Sequence, residues 1–355
     1  MPVIPAERLA GFAAALFEKV GVGQREAETC AGSLVGANLR GYDSHGVMRI
    51  PFYIAAIRDG RVKPQQSLRI VHETPAALIC DGGWGLGQVL ARDLMERLII
   101  KASVLGVACG TLRQAAHIGR VGEYSEIAAA SGMAAIICAN GHGSGQRVAP
   151  VGGKAGRLGT NPLSIGMPGG KEGPFILDFG TSATAEGKVR VKKIAGQPVP
   201  LGWILDADGN PTTDPNKLYQ DPQGTILPMG GDQAYKGFGL AFMIEMLTGG
   251  LSGGRCSHPG APPPVGNDVL FLVLDPRHLG GVQHLVEQIA ELEPFVRGTP
   301  RRDGVEKITL PGDPERQLLA RRIEEGIPID DGNWSELAKL AGSLDVAVPQ
   351  IGGSG

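Results

Sequence analysis

The stretch that decides the fold is AALICDGGWGLGQ, residues 76–88, where an apolar run is followed by a glycine loop and then by a helical pattern. AALIC predicts a buried strand, and the helical pattern continues over residues 88–105. GVACGTL and MAAIICAN predict two further strands, with the helix-prone EYSEIAAASG between them. Strand–helix–strand order with nearly uninterrupted apolar strands is typical of α/β proteins whose sheet is largely buried.

The glycine loop does not match the dinucleotide fingerprint of the Rossmann fold. That fingerprint, G-x-G-x-x-G, opens a helix directly after the first strand. After Gly83 and Gly85 its third glycine position is occupied by Gln88. An acidic residue at the end of a second strand is also missing, because Glu96 falls in the middle of the predicted helix. We therefore interpret the loop as a tight connection between a strand and a helix.

The segments on either side of this region are mostly helical. Residues 5–20 and 24–39 predict two helices that end at glycines, and a third ends at Gly60. Further on, FILDFG and DVLFLVL predict strands, and YKGFGLAFMIEMLTGGL predicts a buried helix. In PGDPERQLLARRIEEGIPID, Asp313 is the predicted N-cap of a helix, Pro314 its first residue and Gly326 its end.

The composition describes a globular chain and excludes several classes of protein. Its 355 residues are 42% hydrophobic and 20% charged, which argues against disorder. A formal net charge of −2 supplies no field that would attract nucleic acid or an anionic membrane. The five cysteines are widely spaced and form no C-x-x-C pair, so neither a disulfide framework nor a metal site is expected.

Nothing in the chain predicts insertion into a membrane. The longest apolar runs, such as MAAIICA and VLFLVL, fall far short of the ~20 residues that a membrane helix needs. The N-terminal RLAGFAAALF is flanked by Glu7 and Glu18, and its apolar residues recur at helical spacing. We interpret it as a surface helix rather than as a signal sequence. The expected location is the cytoplasm, with no membrane and no nucleic-acid partner.

The polar stretch YDSHGVMR, residues 42–49, is the first candidate for chemistry. Asp43 or Ser44 can cap the following helix, which places His45 in its first turn, where the helix dipole disfavours the imidazolium. Arg49 would share a helix face with His45. A guanidinium binds a carboxylate while an imidazole exchanges a proton with a neighbouring oxygen, which suits a 2-oxo or 2-hydroxy acid. Spacing alone leaves open the alternative of a capped helix start with a solvated His and Arg.

Two other stretches could bind an anion. AAHIGRVGEY places Gly119, Arg120 and Gly122 at the opening of a helix, where backbone N–H groups suit a pyrophosphate. A glycine-rich turn with His117 as a capping residue explains the same pattern equally well. PGDPE, at the start of the predicted C-terminal helix, offers backbone N–H donors and a carboxylate to an anion or a ribose. Ordinary helix capping is a sufficient explanation of the same residues.

Seven motifs together identify a resemblance that covers nearly the whole chain. In order they are DSHGVMR, AAHIGRVGEY, GTNPLSIGMP, ILDFGTSATAEGK, GWILDADGNPTTDP, YKGFGLAFMIEMLTGGLSGG, and LPGDPE with GIPID. The sequence resembles the type 2 malate/L-lactate dehydrogenase family, which includes ureidoglycolate, sulfolactate and diketogulonate oxidoreductases and cyclic-imine reductases. The resemblance is greatest to its broad-specificity 2-hydroxycarboxylate dehydrogenases.

The resemblance implies an α/β fold that binds a dinucleotide without the Rossmann fingerprint and has a mixed sheet. It implies a helical region over residues 1–74, joined by the C-terminal helix within 305–355, and a cofactor-binding domain over 75–304. It also implies a homodimer. The implied activity is hydride transfer between a nicotinamide cofactor, NAD or else NADP, and a small carboxylate that interconverts between 2-hydroxy and 2-oxo acid.

Individual residues also match the motifs of the family. His45 resembles the proton donor and acceptor, Ser44 its hydrogen-bonding neighbour, and Arg49 the group that binds the carboxylate. His117 is similar to a residue treated as catalytic in the ureidoglycolate members. Thr160 and Asn161 resemble residues of the substrate pocket. The implied nucleotide contacts are Gly119, Arg120, Val121, Ile176, Leu177, Asp178, Phe179, Gly180, Tyr235, Lys236, Gly312, Asp313, Pro314 and Glu315.

Lys188 separates two branches of the family. In the alignment of motifs it stands where the cyclic-imine reductases carry an Asp that works with the Ser–His pair. A lysine there would repel an iminium but favour a carboxylate or a developing alkoxide, so it is a candidate catalytic residue. The alternatives are a cyclic-imine reductase of the same family and a ligand-binding relative without catalysis. The sequence specifies neither the side chain of the substrate nor the physiological direction.

Overall fold

A computed structural model describes residues 1–260 and 266–349 of the chain. Strands and helices alternate through the middle of the sequence, whereas helices dominate both ends. The strands are β1 Val3–Ile4, β2 Arg69–Glu73, β3 Ala77–Asp81, β4 Val107–Ala116, β5 Ala134–Asn140, β6 Pro162–Gly170, β7 Gly173–Gly180, β8 Ile204–Leu205, β9 Pro211–Thr212, β10 Thr225–Ile226, β11 Gly266–Leu274 and β12 Ile327–Pro328. The helices are α1 Ala6–Glu18, α2 Gln24–Leu39, α3 Ile50–Arg58, α4 Gly87–Leu105, α5 Gly122–Ala130, α6 Glu186–Ile194, α7 Tyr235–Glu245, α8 Val282–Arg297, α9 Asp313–Glu325 and α10 Asp331–Leu344.

Seven strands form one mixed sheet in the order β2-β3-β4-β11-β5-β6-β7. β3 and β4 are parallel, and β11 lies antiparallel between β4 and β5. The carboxyl ends of β3, β4 and β5 therefore meet at one edge of the sheet, together with the start of β11. The predicted α/β fold with a mixed sheet is confirmed.

The hydrophobic core has a helical part and a sheet part. The helical part unites side chains of α1, α2 and α3 with Ile327, Leu337 and Ala341 from the end of the chain. The sheet part packs α4 and α5 against β4, β5 and β11. β1 also pairs with β12, so the two ends of the chain are hydrogen-bonded. The division into 1–74 with 305–355 and 75–304 stays a prediction, and residues 350–355 of it lie outside the described part of the chain.

Several elements differ from the sequence-based predictions. α9 ends at Gly326 as predicted, with a φ of 91°. The C-terminal segment nevertheless holds two helices rather than one, because α10 follows β12 and was not predicted. The N-cap of α9 is Gly312, one residue before the predicted Asp313. α7 is not a buried helix, since the side chains of Phe242 and Met243 are half exposed.

Helix α8 was not predicted from the sequence. It packs on β6, where an added Cβ on Gly170 would meet Ile289 and Glu293. None of its residues is fully buried. Its apolar residues nevertheless recur at helical spacing, so the sequence did contain a usable signal for α8.

Across residues 1–260 and 266–349, no helix is long and apolar enough to cross a membrane.

Candidate active site

The predicted chemical stretch forms a pair of tight turns rather than the start of an α-helix. Asp43–His45 is one 3-10 helix and Val47–Arg49 a second, with Gly46 in an extended conformation between them. The Asp43 carboxylate does not cap a helix, because it accepts hydrogen bonds from Asn38 at 2.7 Å and from Arg322 at 2.8 Å. The prediction that His45 lies in the first turn of an α-helix is therefore wrong.

The turn brings His45 against His117, which follows the carboxyl end of β4. The two imidazole rings stack with their centroids 5.6 Å apart and an interplanar angle of 29°. Ser44 Oγ lies 3.0 Å from His45 Nδ1, so it holds the ring on the side opposite Nε2. His117 Nδ1 lies 2.6 Å from the hydroxyl of Tyr53. Two neighbouring imidazoles thus form the centre of the candidate site.

Arg49 provides a cation beside this pair. Its Nε donates to the backbone oxygen of Ser44 at 2.8 Å, which fixes the guanidinium against the turn. Among the described residues, neither terminal nitrogen of Arg49 has a hydrogen-bond partner. A guanidinium held at one corner with its terminal donors free can bind a carboxylate with two hydrogen bonds.

The surroundings keep both imidazoles neutral. Burial, followed by the charges of Arg49 and Arg120, lowers the pKa of His45 to about 4. Burial, Arg49 and His45 lower the pKa of His117 well below its ordinary value. Desolvation, rather than the predicted helix dipole, is the main cause because the turn contains no α-helix terminus. A carboxylate bound to Arg49 would offset one of the charges that lower these pKa values.

A second polar cluster lies where the resemblance implies nucleotide contacts. Asp178, near the end of β7, accepts a hydrogen bond from the backbone N–H of Gly122 at 2.9 Å. The hydroxyl of Tyr42 donates to the backbone oxygen of Asp178 and lies 3.2 Å from the carboxylate of Glu315. Burial raises the pKa of Asp178 to about 6 despite the nearby Arg120. The cluster joins three separate parts of the chain at one place.

Arg120 is the buried cation of this cluster. It is 3% exposed, pairs with Glu126 at 2.8 Å, and lies over the ring of Tyr42. Its Nη1 is buried without a hydrogen-bond partner among the described residues and lies 3.8 Å from Asp178. A buried guanidinium nitrogen without a partner is a donor available to a polar ligand. Together with the carboxylates it fits a ligand that carries both hydroxyl groups and an anion, as a dinucleotide does.

Other residues of the implied nucleotide site lie beside this cluster or apart from it. Gly119, with a φ of 76°, and Val121 flank Arg120 in the chain, and Ile176, Leu177, Phe179 and Gly180 belong to β7 with Asp178. Pro314 is the second residue of α9, after Asp313, whose carboxylate is buried in ion pairs with Arg297 and Arg316. The carboxylate of Asp313 is therefore occupied by these ion pairs, which stabilise the N-terminus of α9. Tyr235 and Lys236 begin α7, where Tyr235 is exposed.

Among the described residues, no hydrogen bond joins Thr160, Asn161 or Lys188 to the histidine pair. Asn161 is buried and donates to Glu245 at 2.9 Å and to the backbone of α7. The backbone oxygen of Thr160 accepts from Thr181 just after β7. Lys188 is exposed on α6; it is the preceding Gly187 that faces the turn, since an added Cβ there would lie 2.9 Å from Cβ of Ser44.

Two residues of the histidine cluster were missed by the sequence analysis. Tyr53 lies one helical turn after Arg49, and Gln88 donates to its hydroxyl at 3.1 Å. The spacing of four residues between Arg49 and Tyr53 was a usable signal. The sequence contains no such signal for Gln88, because its partner, Tyr53, is 35 residues away. Among the described residues, no group of three or more His, Cys, Asp or Glu could hold a metal ion.

The sequence profile of the malate/L-lactate dehydrogenase family matches residues 4–338. The chain belongs to this family. It is 36% identical to hydroxycarboxylate dehydrogenase B of Escherichia coli over 340 residues, which is 95% of this chain and 92% of that one.

Solved structures show the same fold in other members. The sulfolactate dehydrogenase of Methanocaldococcus jannaschii superposes with a TM-score of 0.87 at 33% identity, covering 97% of this chain and 98% of that one. The delta1-piperideine-2-carboxylate reductase of Pseudomonas syringae superposes with a TM-score of 0.83 at 30% identity, covering 96% of this chain and all of the other. Malate/L-lactate dehydrogenase relatives thus include enzymes named for hydroxy acids and one named for a cyclic imine.

Proposed function

We propose that this malate/L-lactate dehydrogenase family member interconverts a 2-hydroxy acid and a 2-oxo acid with a nicotinamide cofactor. The observation that carries the proposal is the free terminal side of Arg49 next to two stacked neutral imidazoles. A carboxylate and an adjacent oxygen of one small molecule would be bound by these two kinds of donor at once. A 2-oxo acid has both groups on neighbouring carbons.

Arg49 positions the substrate, and His45 moves the proton. The guanidinium binds the carboxylate and fixes the angle at which C2 faces the cofactor. His45 is the group that gives a proton to the C2 oxygen in reduction and takes it back in oxidation. Its resting pKa of about 4 leaves it neutral at neutral pH. The bound carboxylate offsets the charge of Arg49, which raises the pKa of His45 and favours its protonation when substrate is present.

The cofactor would supply hydride to C2 of the substrate, and we propose NAD for this role, with NADP as the alternative. Asp178, Glu315 and Tyr42 would bind ribose hydroxyls, and Arg120 with the N–H groups of the α5 start would bind the pyrophosphate. A carboxylate suits the 2′-hydroxyl of NAD and would repel the 2′-phosphate of NADP. The carboxylates of Asp178 and Glu315 therefore favour NAD over NADP.

The second candidate is reduction of a cyclic imine, which the likeness to the piperideine-2-carboxylate reductase favours. Lys188 is exposed on α6, and solvent screens an exposed charge, which weakens the argument that this lysine would repel an iminium. Arg49 would bind the carboxylate of either kind of substrate. The hydroxy acid stays the first proposal because the other relatives named above act on hydroxy acids.

Loss of reduced-nicotinamide absorbance distinguishes these functions. The purified protein would be assayed with NADH and with NADPH against pyruvate, oxaloacetate, phenylpyruvate, hydroxypyruvate, 2-oxoglutarate and pyrroline-2-carboxylate. Turnover of an oxo acid supports the proposal, and the preferred coenzyme tests the choice of NAD. Turnover of the imine alone would replace it with the second candidate. NADH binding without any turnover would indicate the non-catalytic alternative.

We also propose a homodimer, as the resemblance implies, and a location in the cytoplasm, as the sequence indicates. The outer side of α7 and of the residues after it supports the dimer, because it presents neighbouring half-exposed apolar side chains. They are Phe242, Met243, Met246, Leu247 and Leu251. A set of exposed apolar side chains of this kind is typical of a subunit interface.

A further inference from the structure

The Nδ1 atom of His117 accepts hydrogen bonds and therefore carries no proton. The backbone N–H of Gly119 points to this nitrogen at 3.2 Å. A backbone N–H can only donate, so Nδ1 must offer its lone pair. In a neutral imidazole the single proton then sits on the other nitrogen, Nε2.

Buried, hydrogen-bonded side chains place a second donor, the hydroxyl of Tyr53, next to His117 Nδ1. The hydroxyl of Tyr53 lies 2.6 Å from His117 Nδ1 and accepts from the amide of Gln88 at 3.1 Å. The thiol of Cys30 lies 3.8 Å from the oxygen of that amide, which places its NH2 group toward Tyr53. Tyr53 and Gln88 are at most 4% exposed. Because Gln88 occupies the acceptor side of the hydroxyl, the proton of Tyr53 is left to point at His117.

We propose that Tyr53 and Gln88 are positioning residues that hold His117 in the tautomer with its proton on Nε2. The ring is thereby a fixed hydrogen-bond donor, and the proton that is exchanged with substrate belongs to His45. Protonation of His117 at Nδ1 would set its new N–H against the N–H of Gly119, so the arrangement resists a second proton. Burial, which lowers the pKa of His117, acts in the same direction.

The two stacked imidazoles then differ in role although they are the same residue type. His45 has Ser44, a hydroxyl that donates or accepts, at its Nδ1, so it can change its protonation state. His117 has the backbone N–H of Gly119 at its Nδ1, so it cannot easily take up a second proton there. A neutral imidazole that donates to a developing alkoxide needs no proton transfer of its own and is oriented before the reaction begins.

The tautomer can be measured without turnover. Long-range 1H–15N spectra of the 15N-histidine-labelled protein at neutral pH report which ring nitrogen carries the proton, and a His117→Gln variant assigns the signal. We expect His117 to be protonated on Nε2 alone. A proton on Nδ1, or on both nitrogens, would overturn the proposal. This readout does not depend on the proposed function, so a protein that turned over no substrate would still decide it.

The kinetic part rests on the proposed function and uses matched substitutions. Tyr53→Phe should lower kcat for oxo acid reduction about tenfold, the size of one lost buried hydrogen bond. Thr225→Val is the control, because it also removes a buried side-chain hydroxyl, one that donates to the backbone of Arg147 at 2.8 Å. It should lower Tm comparably while leaving kcat and the His117 tautomer unchanged.

Gln88 allows the direction of the hydrogen bonds to be reversed. In Gln88→Glu the carboxylate would accept the proton of Tyr53 and turn it away from His117, whereas Gln88→Met removes the amide without offering a competing acceptor. We expect Gln88→Glu to lower kcat more than Gln88→Met does, with the dissociation constant of NADH the same in both. Equal kcat values in the two variants, together with a Tyr53→Phe protein as active as wild type, would show that the chain does not position His117.

Discussion

Replacement of Arg49 by lysine tests the proposed substrate clamp most directly. The substitution keeps the positive charge but removes the planar set of donors. Nε of Arg49 donates to the backbone of Ser44 at 2.8 Å, and the terminal nitrogens have no hydrogen-bond partner within residues 1–260 and 266–349. A lysine has one nitrogen to serve both purposes, so either the anchor or part of the substrate contact is lost.

The expected loss follows from these contacts. One charge-assisted hydrogen bond is worth roughly 1.5–3 kcal/mol, so kcat/KM for the 2-oxo acid should fall about 10- to 150-fold. The pH profile should change little, because a lysine charge continues to lower the pKa of His45 as Arg49 does. Arg49→Met, which removes the charge as well, should lower kcat/KM further and raise the pKa of His45 in the free enzyme.

The assay is steady-state reduction of the preferred oxo acid, with the binding of NADH measured separately by fluorescence. Arg58→Lys is the matched control, because Arg58 is exposed at the end of α3, the helix that directly follows Arg49. It should behave as wild type. An Arg49→Lys enzyme with unchanged kcat/KM would refute the clamp, and one that had lost NADH affinity would place Arg49 at the cofactor instead.

Four further predictions concern His45, α6 and α7. His45→Ala should slow single-turnover hydride transfer about 10²- to 10⁴-fold with NADH affinity retained, and rapid transfer would rule out His45 as the proton donor. The pKa of His45 is about 4 in the folded protein and 6.5 in the unfolded chain. The contribution of neutral His45 to the free energy of unfolding is therefore complete above pH 6.5 and is lost as the pH falls toward 4. The fall in Tm between about pH 7.5 and about pH 5 should therefore be smaller in His45→Gln, and an equal fall would contradict the assigned pKa. Gly187→Ala should lower kcat by displacing Ser44, whereas Gly32→Ala, with no atom within 4 Å of an added Cβ, should not; equal activities would show that the turn tolerates the shift. Phe242→Asp should convert the homodimer to monomers in light scattering, and an unchanged mass would place the interface elsewhere.

The sheet could be predicted because its strands are apolar and its helices end at glycines. β3, β4 and β5 are buried runs whose hydrophobicity depends little on the rest of the chain. α8 was not predicted, although its apolar residues recur at helical spacing. The end of α9 could be predicted from Gly326, whereas α10 was missed because Gly332 and Asn333 in its first turn are weak helix formers.

The site was predictable in its residue types but not in its geometry. His45 and Arg49 could be identified from spacing, although the spacing indicated an α-helix and the chain forms two 3-10 turns. The cause is the Asp43 carboxylate, which is used by Asn38 and by the distant Arg322 instead of by a helix N-terminus. Tyr53 and Gln88 look like ordinary core positions in the sequence, since their chemistry appears only when α3 and α4 meet at His117.

The hydrogen bond between Asp43 and Arg322 makes the turn that carries His45 depend on a distant part of the chain. The two residues are 279 positions apart, and the turn is held partly by this contact. A change in α9 that removes the contact therefore loosens the turn without altering the turn's own sequence.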